Sequence, residues 1–143
     1  MAVKQISIFV ENRKGTMLEI TKTMADAGID IRALSIADTT DYGILRLIVN
    51  DPEKAIVTVK NAGFTASVTE VIAILIEDKP GGFSRPVEIL TNNDINLEYA
   101  YAFITPVVGD AYVIIRVEDN DKAEKILAEN GVRMLTQEQI EKL

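Results

Sequence analysis

The 143-residue sequence contains no cysteine and no histidine, and each absence removes a class of function. Without cysteine the chain can form no disulfide and perform no thiol chemistry. Without histidine it lacks the commonest general base and the commonest transition-metal ligand. The sequence also shows no nucleophile–base pairing, phosphate loop or zinc-ligand spacing. We therefore expect no enzyme, no catalytic residue, no metal site and no cofactor.

Basic charge and long apolar runs are also scarce. Fifteen basic residues against 22 acidic ones give a net charge of −7. Nucleic acids and membrane surfaces both attract basic patches, so neither is an expected partner. No run approaches the roughly 20 apolar residues of a membrane-spanning helix, and the first residues lack the pattern of a signal peptide. We expect a soluble, cytoplasmic protein.

Hydrophobic residues make up 48% of the chain, which is enough for a packed core. Alternating apolar and polar side chains indicate strands, and apolar side chains at helical spacing indicate helices. In the first half these patterns predict strand 3–10, helix 17–27, strand 29–37, strand 42–49, helix 51–63 and strand 64–69.

The same order, β-α-β-β-α-β, occurs a second time. Gly15 matches Gly81 at an offset of 66 residues, and Asp51 matches Asp119 at an offset of 68. The second copy therefore carries two extra residues around 106–110. A repeat of this extent is the strongest organisational signal in the sequence.

The repeated order predicts an α+β protein made of two ferredoxin-like repeats, residues 1–69 and 70–143. Each repeat should form a four-stranded antiparallel sheet with helices on one face. Joined side by side, the two sheets would make one eight-stranded sheet. Pro86 would disrupt a helix interior, so we expect the first helix of the second copy to begin near Ser84. Residues 136–143 should form a short charged helix.

Two segments, 71–76 and 112–117, are apolar on both faces. Because helices can cover only one face of such a sheet, we expect the helix-free face to be buried against another subunit, in a homodimer.

An alternating stripe of Leu97, Tyr99, Tyr101 and Phe103 lies on the second strand of the second copy. Such a stripe can stack on nucleic-acid bases, but the net negative charge favours packing in the core, at an interface or along an apolar part of a ligand pocket.

Asp119 precedes a predicted helix, where a carboxylate is expected as a cap rather than as a catalyst.

Two glycine-bearing turns, residues 11–17 and 77–83, connect a strand to a helix in each copy. Glycine lets the backbone approach a ligand closely, and free N–H groups at a helix start suit a carboxylate. A zwitterion also needs an acceptor for its ammonium group, for which Asp78 or Asn96 is available in the second copy.

These turns, together with residues 27–31 and 93–97, resemble the ACT domain, a small amino-acid-sensing module. The latter segments are similar to the Gly-Ile-Asn-Ile pattern that begins the second strand of that family. The resemblance covers roughly residues 3–137 and is greatest to tandem proteins without a fused catalytic domain. Lys14 departs from the family pattern, which has proline there, and Asp94 departs from its glycine.

The resemblance implies that two domains pair side by side, with their first helices and second strands adjoining, and that an amino acid binds at the seam. It also leaves open a regulatory subunit that contacts a metabolic enzyme, similar to the small subunit of acetohydroxyacid synthase. The implied ligand-binding residues are Asn12, Gly15, Thr16, Met17 and Asp30 in the first copy and Asp78, Lys79, Pro80, Gly81, Gly82, Phe83 and Asn96 in the second.

Overall fold

The computed structural model describes residues 2–104 and 109–143, which form seven strands and five helices in the predicted order. The first half holds β1 (Val3–Glu11), α1 (Thr16–Asp26), β2 (Ile31–Asp38), β3 (Tyr42–Val49) and α2 (Pro52–Asn61). Strand β4 (Ala66–Glu77) connects the halves. The second half holds α3 (Ser84–Asn92), β5 (Leu97–Ala102), β6 (Asp110–Val117), α4 (Asn120–Glu129), β7 (Met134–Leu135) and α5 (Gln137–Glu141).

Strand β4 belongs to both repeats. Its residues up to Val71 pair antiparallel with β1, and its residues from Ile72 onward pair with β6 and β7. The sheet order is β2-β3-β1-β4-β6-β5, with β7 on β4. The α+β, ferredoxin-like prediction is confirmed. The described strands number seven rather than eight because one continuous strand ends the first repeat and begins the second. The division at 69/70 falls inside this strand and stays a prediction.

The helices α2 and α4 begin at the capping residues that the repeat predicts. The Asp51 side chain accepts a hydrogen bond from the Lys54 N–H at 3.1 Å, and Asp119 accepts one from the Lys122 N–H at 3.1 Å. Each carboxylate satisfies one N–H group that has no partner within its helix. The interpretation of Asp119 as a cap is confirmed.

Two further helix boundaries follow the sequence. Helix α3 begins at Ser84, as predicted, so that Pro86 lies in the first turn, where a backbone N–H has no partner within the helix. Helix α5 lies within the predicted segment 136–143. The Thr136 hydroxyl caps it by accepting a hydrogen bond from the Gln139 N–H at 3.2 Å.

The second strand of each repeat contains the same irregularity. The pairing register shifts between Ile31 and Ala33 in β2 and between Leu97 and Tyr99 in β5, which are equivalent positions. A bulge changes the face on which the following side chains lie. Leu97 therefore packs beneath the helices, whereas Tyr101 packs on the helix-free face. The prediction that all four residues share one face is wrong for Leu97. Tyr101 and Phe103 pack against a buried cluster, as the predicted packing of the aromatic stripe requires.

The sheet curls so that the helix-free faces of the two repeats pack against each other. Ile48 from the first repeat and Ile114 from the second are fully buried in one shared cluster. The Tyr101 hydroxyl donates to Gln5 Oε1 at 2.6 Å, and Gln5 Nε2 donates to the Tyr99 hydroxyl at 2.9 Å. These bonds satisfy a fully buried amide, as burial of a polar group requires.

Curling also brings together the two ends of the sheet, β2 and β5. Ala33 forms a bridge with Phe103, and the Ile104 N–H donates to the Arg32 carbonyl at 2.8 Å. The prediction that another subunit covers the helix-free face is therefore wrong, because the other repeat of the same chain and Ile140 of α5 pack against it. Apolar side chains on both faces predict burial but do not identify what buries them. The homodimer itself stays a prediction.

Residues 105–108 lie outside the described part of the chain, so the insertion expected around 106–110 stays a prediction. Elsewhere, within 2–104 and 109–143, no helix combines the length and apolar character needed to cross a bilayer.

Candidate functional site

The first candidate site is the turn between β1 and α1. Asn12 ties this turn to the β2–β3 hairpin: its backbone N–H donates to the Asp41 carbonyl at 3.0 Å, and its side-chain amide donates to the Thr40 carbonyl at 3.2 Å. Gly15 precedes the helix with φ of 94°, a left-handed conformation that favours glycine. The turn thus fixes the position of the helix start, where free N–H groups are found.

Thr16, the first residue of α1, is only 3% exposed, and its hydroxyl has no hydrogen-bond partner among the described residues. An unpaired buried polar group destabilises a protein by about 1–3 kcal/mol. Thr16 lines a cavity of about 330 Å³, together with Asn12 and Met17. Three of the five predicted first-repeat residues therefore surround one space at a helix N-terminus, whose N–H groups suit a carboxylate. Glu11 and Asp38 line the same cavity and would suit an ammonium group.

The second candidate site is the turn between β4 and α3. The Asp78 N–H donates to the Gly109 carbonyl at 3.1 Å, and the Gly82 N–H donates to the Lys79 carbonyl at 2.9 Å. Lys79 also forms an ion pair with Glu77. The hydrogen bond from Lys79, and then its charge, lower the pKa of the Glu77 carboxyl below its ordinary value.

Gly82 occupies the position of Thr16 in the second repeat, but it has no room for a side chain. A Cβ atom there would lie 1.9 Å from the Glu77 carbonyl oxygen. Gly81 has φ of 83°, so it keeps the left-handed conformation of the matching glycine in the first repeat. The second turn therefore offers a ligand no hydroxyl like that of Thr16. Asp78, Lys79, Pro80 and Phe83 are exposed in or beside this turn.

The predicted residues at the start of each second strand lie elsewhere. The Asp30 N–H donates to Asn50 Oδ1 at 2.8 Å, and its carboxylate pairs with Arg32 at 2.5 Å. Asn96 is exposed just before β5. Helix α1 has 11 residues, which corresponds to about 16 Å at the α-helical rise, and it separates Asp30 from the first turn. Within one repeat the structure does not bring the turn and the strand start together.

The whole chain matches one protein family, through a family model described as an ACT domain pair that covers residues 1–143. The chain belongs to the ACT domain family. This ACT pair is similar to protein BT0572 from Bacteroides thetaiotaomicron, with 36% sequence identity and a TM-score of 0.93 over 100% of this chain and 98% of that one. It shares its fold with the regulatory subunit of aspartate kinase from Thermus thermophilus, at 14% identity and a TM-score of 0.64 over 88% and 90% of the two chains. No curated protein sequence matches it.

Sequence reasoning missed two arginines beside the second turn of the ACT pair. Arg85 in α3 and Arg133 after α4 line a pocket of about 340 Å³, to which Lys79 also contributes. A comparison of the two repeats could have identified them. At the matching positions the first repeat has Glu19 and Thr65, so both arginines depart from the repeat.

The chemistry available at either ACT turn is recognition by backbone N–H groups, amides, a hydroxyl and charged side chains. In the part of the chain that the structure describes, no three acidic side chains lie close enough together to hold a metal ion.

Proposed function

We propose that this ACT pair is a regulatory protein that binds a free amino acid at its βα turns. The ligand carboxylate would lie at the start of a first helix, and its ammonium group would lie beside the start of a second strand from an adjoining repeat. The turn residues and the two strand-start residues, Asp30 and Asn96, are the binding residues in this proposal.

The unpaired hydroxyl of Thr16 carries the proposal. A buried hydroxyl without a partner is rare, because burial removes its bonds to water. Beside a helix start it can donate to a carboxylate oxygen that the helix dipole also favours. We therefore assign the carboxylate site to the first repeat, where Asn12 and Met17 line the same cavity.

A complete site of this kind needs a second copy of the chain. Asp30 lies at the far end of α1 from the first turn, so in this proposal the strand-start acceptor comes from an adjoining domain, in addition to the Glu11 and Asp38 carboxylates that line the cavity itself. Two chains that place α1 and β2 antiparallel to their counterparts would supply it. Leu18 on α1 and Leu34 and Ile36 on β2 are exposed and would be buried in that homodimer.

Regulation would follow if the amino acid binds the paired chains better than the separate ones. A ligand shifts an equilibrium only by its difference in affinity for the two states. A ligand that bridges two chains has such a difference, because the separate chain offers half of its contacts. The Thermus thermophilus neighbour is itself a regulatory subunit, and we extend that role to this chain as part of the proposal.

A second candidate function is contact with a metabolic enzyme without an amino-acid ligand. The exposed apolar residues are Leu18 on α1 and Leu34 and Ile36 on β2. They would favour this function if they form one continuous apolar surface, because such surfaces mark protein contacts. A ligand-independent complex with such an enzyme would support this function over amino-acid sensing.

Thermal unfolding in the presence of each common amino acid tests the main proposal. A ligand at about a hundredfold excess over its dissociation constant stabilises the native state by about 2.7 kcal/mol. We expect one or two amino acids to raise the midpoint and to increase the dimer fraction in light scattering. No response to any of them, from folded protein, would contradict the proposal.

Thr16→Val tests the site itself. The substitution keeps the side-chain shape and removes the unpaired hydroxyl, so we expect unchanged or slightly higher stability. We expect amino-acid affinity, measured by calorimetry, to fall roughly tenfold with the loss of one hydrogen bond to a charged group. Thr23→Val is the matched control, because the Thr23 hydroxyl on the same helix is exposed and donates to the Glu19 carbonyl at 2.7 Å. Equal affinity in the two variants would place the ligand elsewhere.

A further inference from the structure

Each repeat contains a pocket on the side of its βα turn that faces away from the second strand. In the first repeat it has a volume of about 610 Å³ and lies between residues 9–11 and 63–65. In the second repeat it has a volume of about 340 Å³ and lies between residues 75–77 and 131–133. These segments are equivalent in the repeat, so one architecture has produced the pocket twice. Neither pocket includes a residue of a second strand, but each shares turn residues with the proposed amino-acid site: Thr16 in the first repeat, and Lys79 and Gly81 in the second.

The second-repeat pocket is rich in positive charge. Lys79 from the turn, Arg85 from α3 and Arg133 from the segment before β7 contribute three basic side chains, against the acidic Glu77 and Asp110. Three separate elements supply these cations, so the arrangement depends on the fold rather than on a basic run in the sequence. The chain as a whole has a net charge of −7, so three basic side chains around one pocket run counter to its excess of acidic residues.

The first-repeat pocket has the opposite balance. Arg13 is its one basic side chain, against Glu11 and Glu19, while Thr65 and Tyr42 occupy the remaining equivalent positions. The shared position and the reversed charge make the first-repeat pocket an internal reference for the second. The position of the pocket follows from the fold, whereas the two added arginines are particular to the second repeat.

The two arginines are placed to bind an anion. Arg85 is held by a hydrogen bond from its guanidinium to the Asn130 carbonyl at 2.6 Å. Arg133 lies 3.9 Å from the Asp110 carboxylate, which is too far for a hydrogen bond. A guanidinium carries several N–H donors in a rigid fork that matches carboxylate and phosphate oxygens. Most of these donors can therefore serve a ligand in the pocket.

We propose that the pocket formed by Lys79, Arg85 and Arg133 binds a small dianion, either a phosphate group or a dicarboxylate. Its volume is that of a site for a small metabolite. A dianion can accept hydrogen bonds from more than one of the three cations at once, and bonds of this kind are among the strongest in proteins. The proposal does not depend on amino-acid binding, because the amino-acid carboxylate is assigned to the first repeat; Lys79 is the residue that the two proposals share.

Calorimetry with inorganic phosphate and with succinate, at low ionic strength, tests the proposal on the full chain. Arg85→Glu and Arg133→Thr introduce the residues that stand at the matching positions of the first repeat, Glu19 and Thr65, where the same fold accommodates them. Lys125→Glu is the matched control, because Lys125 is an exposed residue of α4 outside the pocket and its replacement changes the charge as Arg85→Glu does.

We expect the unaltered protein to bind at least one of the two anions, with affinity about tenfold weaker or more in each pocket variant. Lys125→Glu should change affinity by no more than about twofold, because its charge is screened by solvent. Binding of phosphate alone would point to a phosphorylated ligand, and binding of succinate to a dicarboxylate. The proposal is overturned if neither anion binds at concentrations roughly tenfold above 1 mM, or if Lys125→Glu weakens binding as much as the pocket variants do.

The same variants separate this proposal from the amino-acid proposal. Arg133→Thr should keep the thermal response to the amino acid while it loses the dianion. Loss of both responses together would assign them to one site and would contradict the separate dianion pocket.

Discussion

Thr16 and Gly82 occupy equivalent positions, yet their surroundings differ completely. Thr16 buries a hydroxyl beside a cavity, whereas the space that a Cβ would need at Gly82 is filled by the Glu77 carbonyl. The resemblance to the ACT family made both residues candidates, because both follow the glycine of a βα turn. The sequence alone could not show that one position has room for a side chain and the other has none, because that space depends on the path of the preceding backbone.

Asp94 shows how a departure from a family pattern is accommodated at one residue. It has φ of 56°, the left-handed conformation that Gly28 takes with φ of 74° in the first repeat. A side-chain-bearing residue in this conformation is destabilising relative to glycine. We expect Asp94→Gly to raise the free energy of unfolding by about 0.5–1 kcal/mol, as measured in urea.

The reciprocal substitution, Gly28→Asp, provides the matched test of that explanation. It should lower the free energy of unfolding by about the same amount, because it introduces the strain into the first repeat. If both substitutions destabilise the protein, then side-chain contacts of Asp94, not its backbone conformation, determine its effect.

At the scale of elements, much of the fold could be predicted. Each repeat needs a strand, a turn and a helix in a fixed order, and the apolar periodicity gives that order directly. Pro86 fixes the start of α3, because proline is tolerated in a first helical turn and not beyond it. The bulges after Ile31 and Leu97 were not predicted, because apolar residues occur at both alternating positions of β2 and β5 and so do not show where the register shifts.

The caps of α2 and α4 provide a test of the repeat at this scale. Asp119 accepts a hydrogen bond from the Lys122 N–H at 3.1 Å. We expect Asp119→Ala to lower the free energy of unfolding by about 1 kcal/mol, because that N–H loses its partner and a favourable charge leaves the helix N-terminus. Chemical denaturation measures the change. Asp51→Ala should have an equal effect, whereas Asp26→Ala, with its carboxylate at the C-terminal end of α1, should not destabilise the protein.

At the scale of the whole molecule, the curled sheet could not be predicted. The sequence shows that residues 71–76 are apolar on both faces, and this indicates that both faces are buried. Whether a second chain or the other repeat covers them depends on how far the sheet twists along β4. Sheet twist accumulates over many residues and has no signature at any one of them.

The contact between the repeats should make stability depend on pH in alkaline solution. Burial, and to a lesser degree the charge of Tyr99, raise the pKa of the Tyr101 hydroxyl above its ordinary value, while Arg46 opposes the shift. Below about pH 10 the Tyr101 hydroxyl is protonated in both the folded and the unfolded protein, so its contribution to the free energy of unfolding is fully present. Above about pH 10 the unfolded chain releases this proton, so the free energy of unfolding falls as the pH rises.

Tyr101→Phe separates this titration from the hydrogen bond to Gln5. At neutral pH we expect the variant to lose about 1–3 kcal/mol, because Gln5 Oε1 is left buried without its donor. Above about pH 10 its free energy of unfolding in urea should fall less steeply than that of the unaltered protein. Tyr42→Phe, which removes an exposed hydroxyl, is the control at neutral pH. Parallel slopes for Tyr101→Phe and the unaltered protein would contradict the role of Tyr101.

The shared cluster on the helix-free faces should also make the two repeats unfold as one unit. Ile114 belongs to the second repeat but packs, fully buried, in a cluster with Val3 and Ile48 of the first. Ile114→Ala should lower the free energy of unfolding by about 2–5 kcal/mol through the lost side chain and the cavity it leaves. Hydrogen exchange should then show an equal loss of protection in the slowest amides of both repeats, because the strand β4 and the shared cluster couple them. If protection falls in the second repeat alone, the repeats are independent folding units that merely touch.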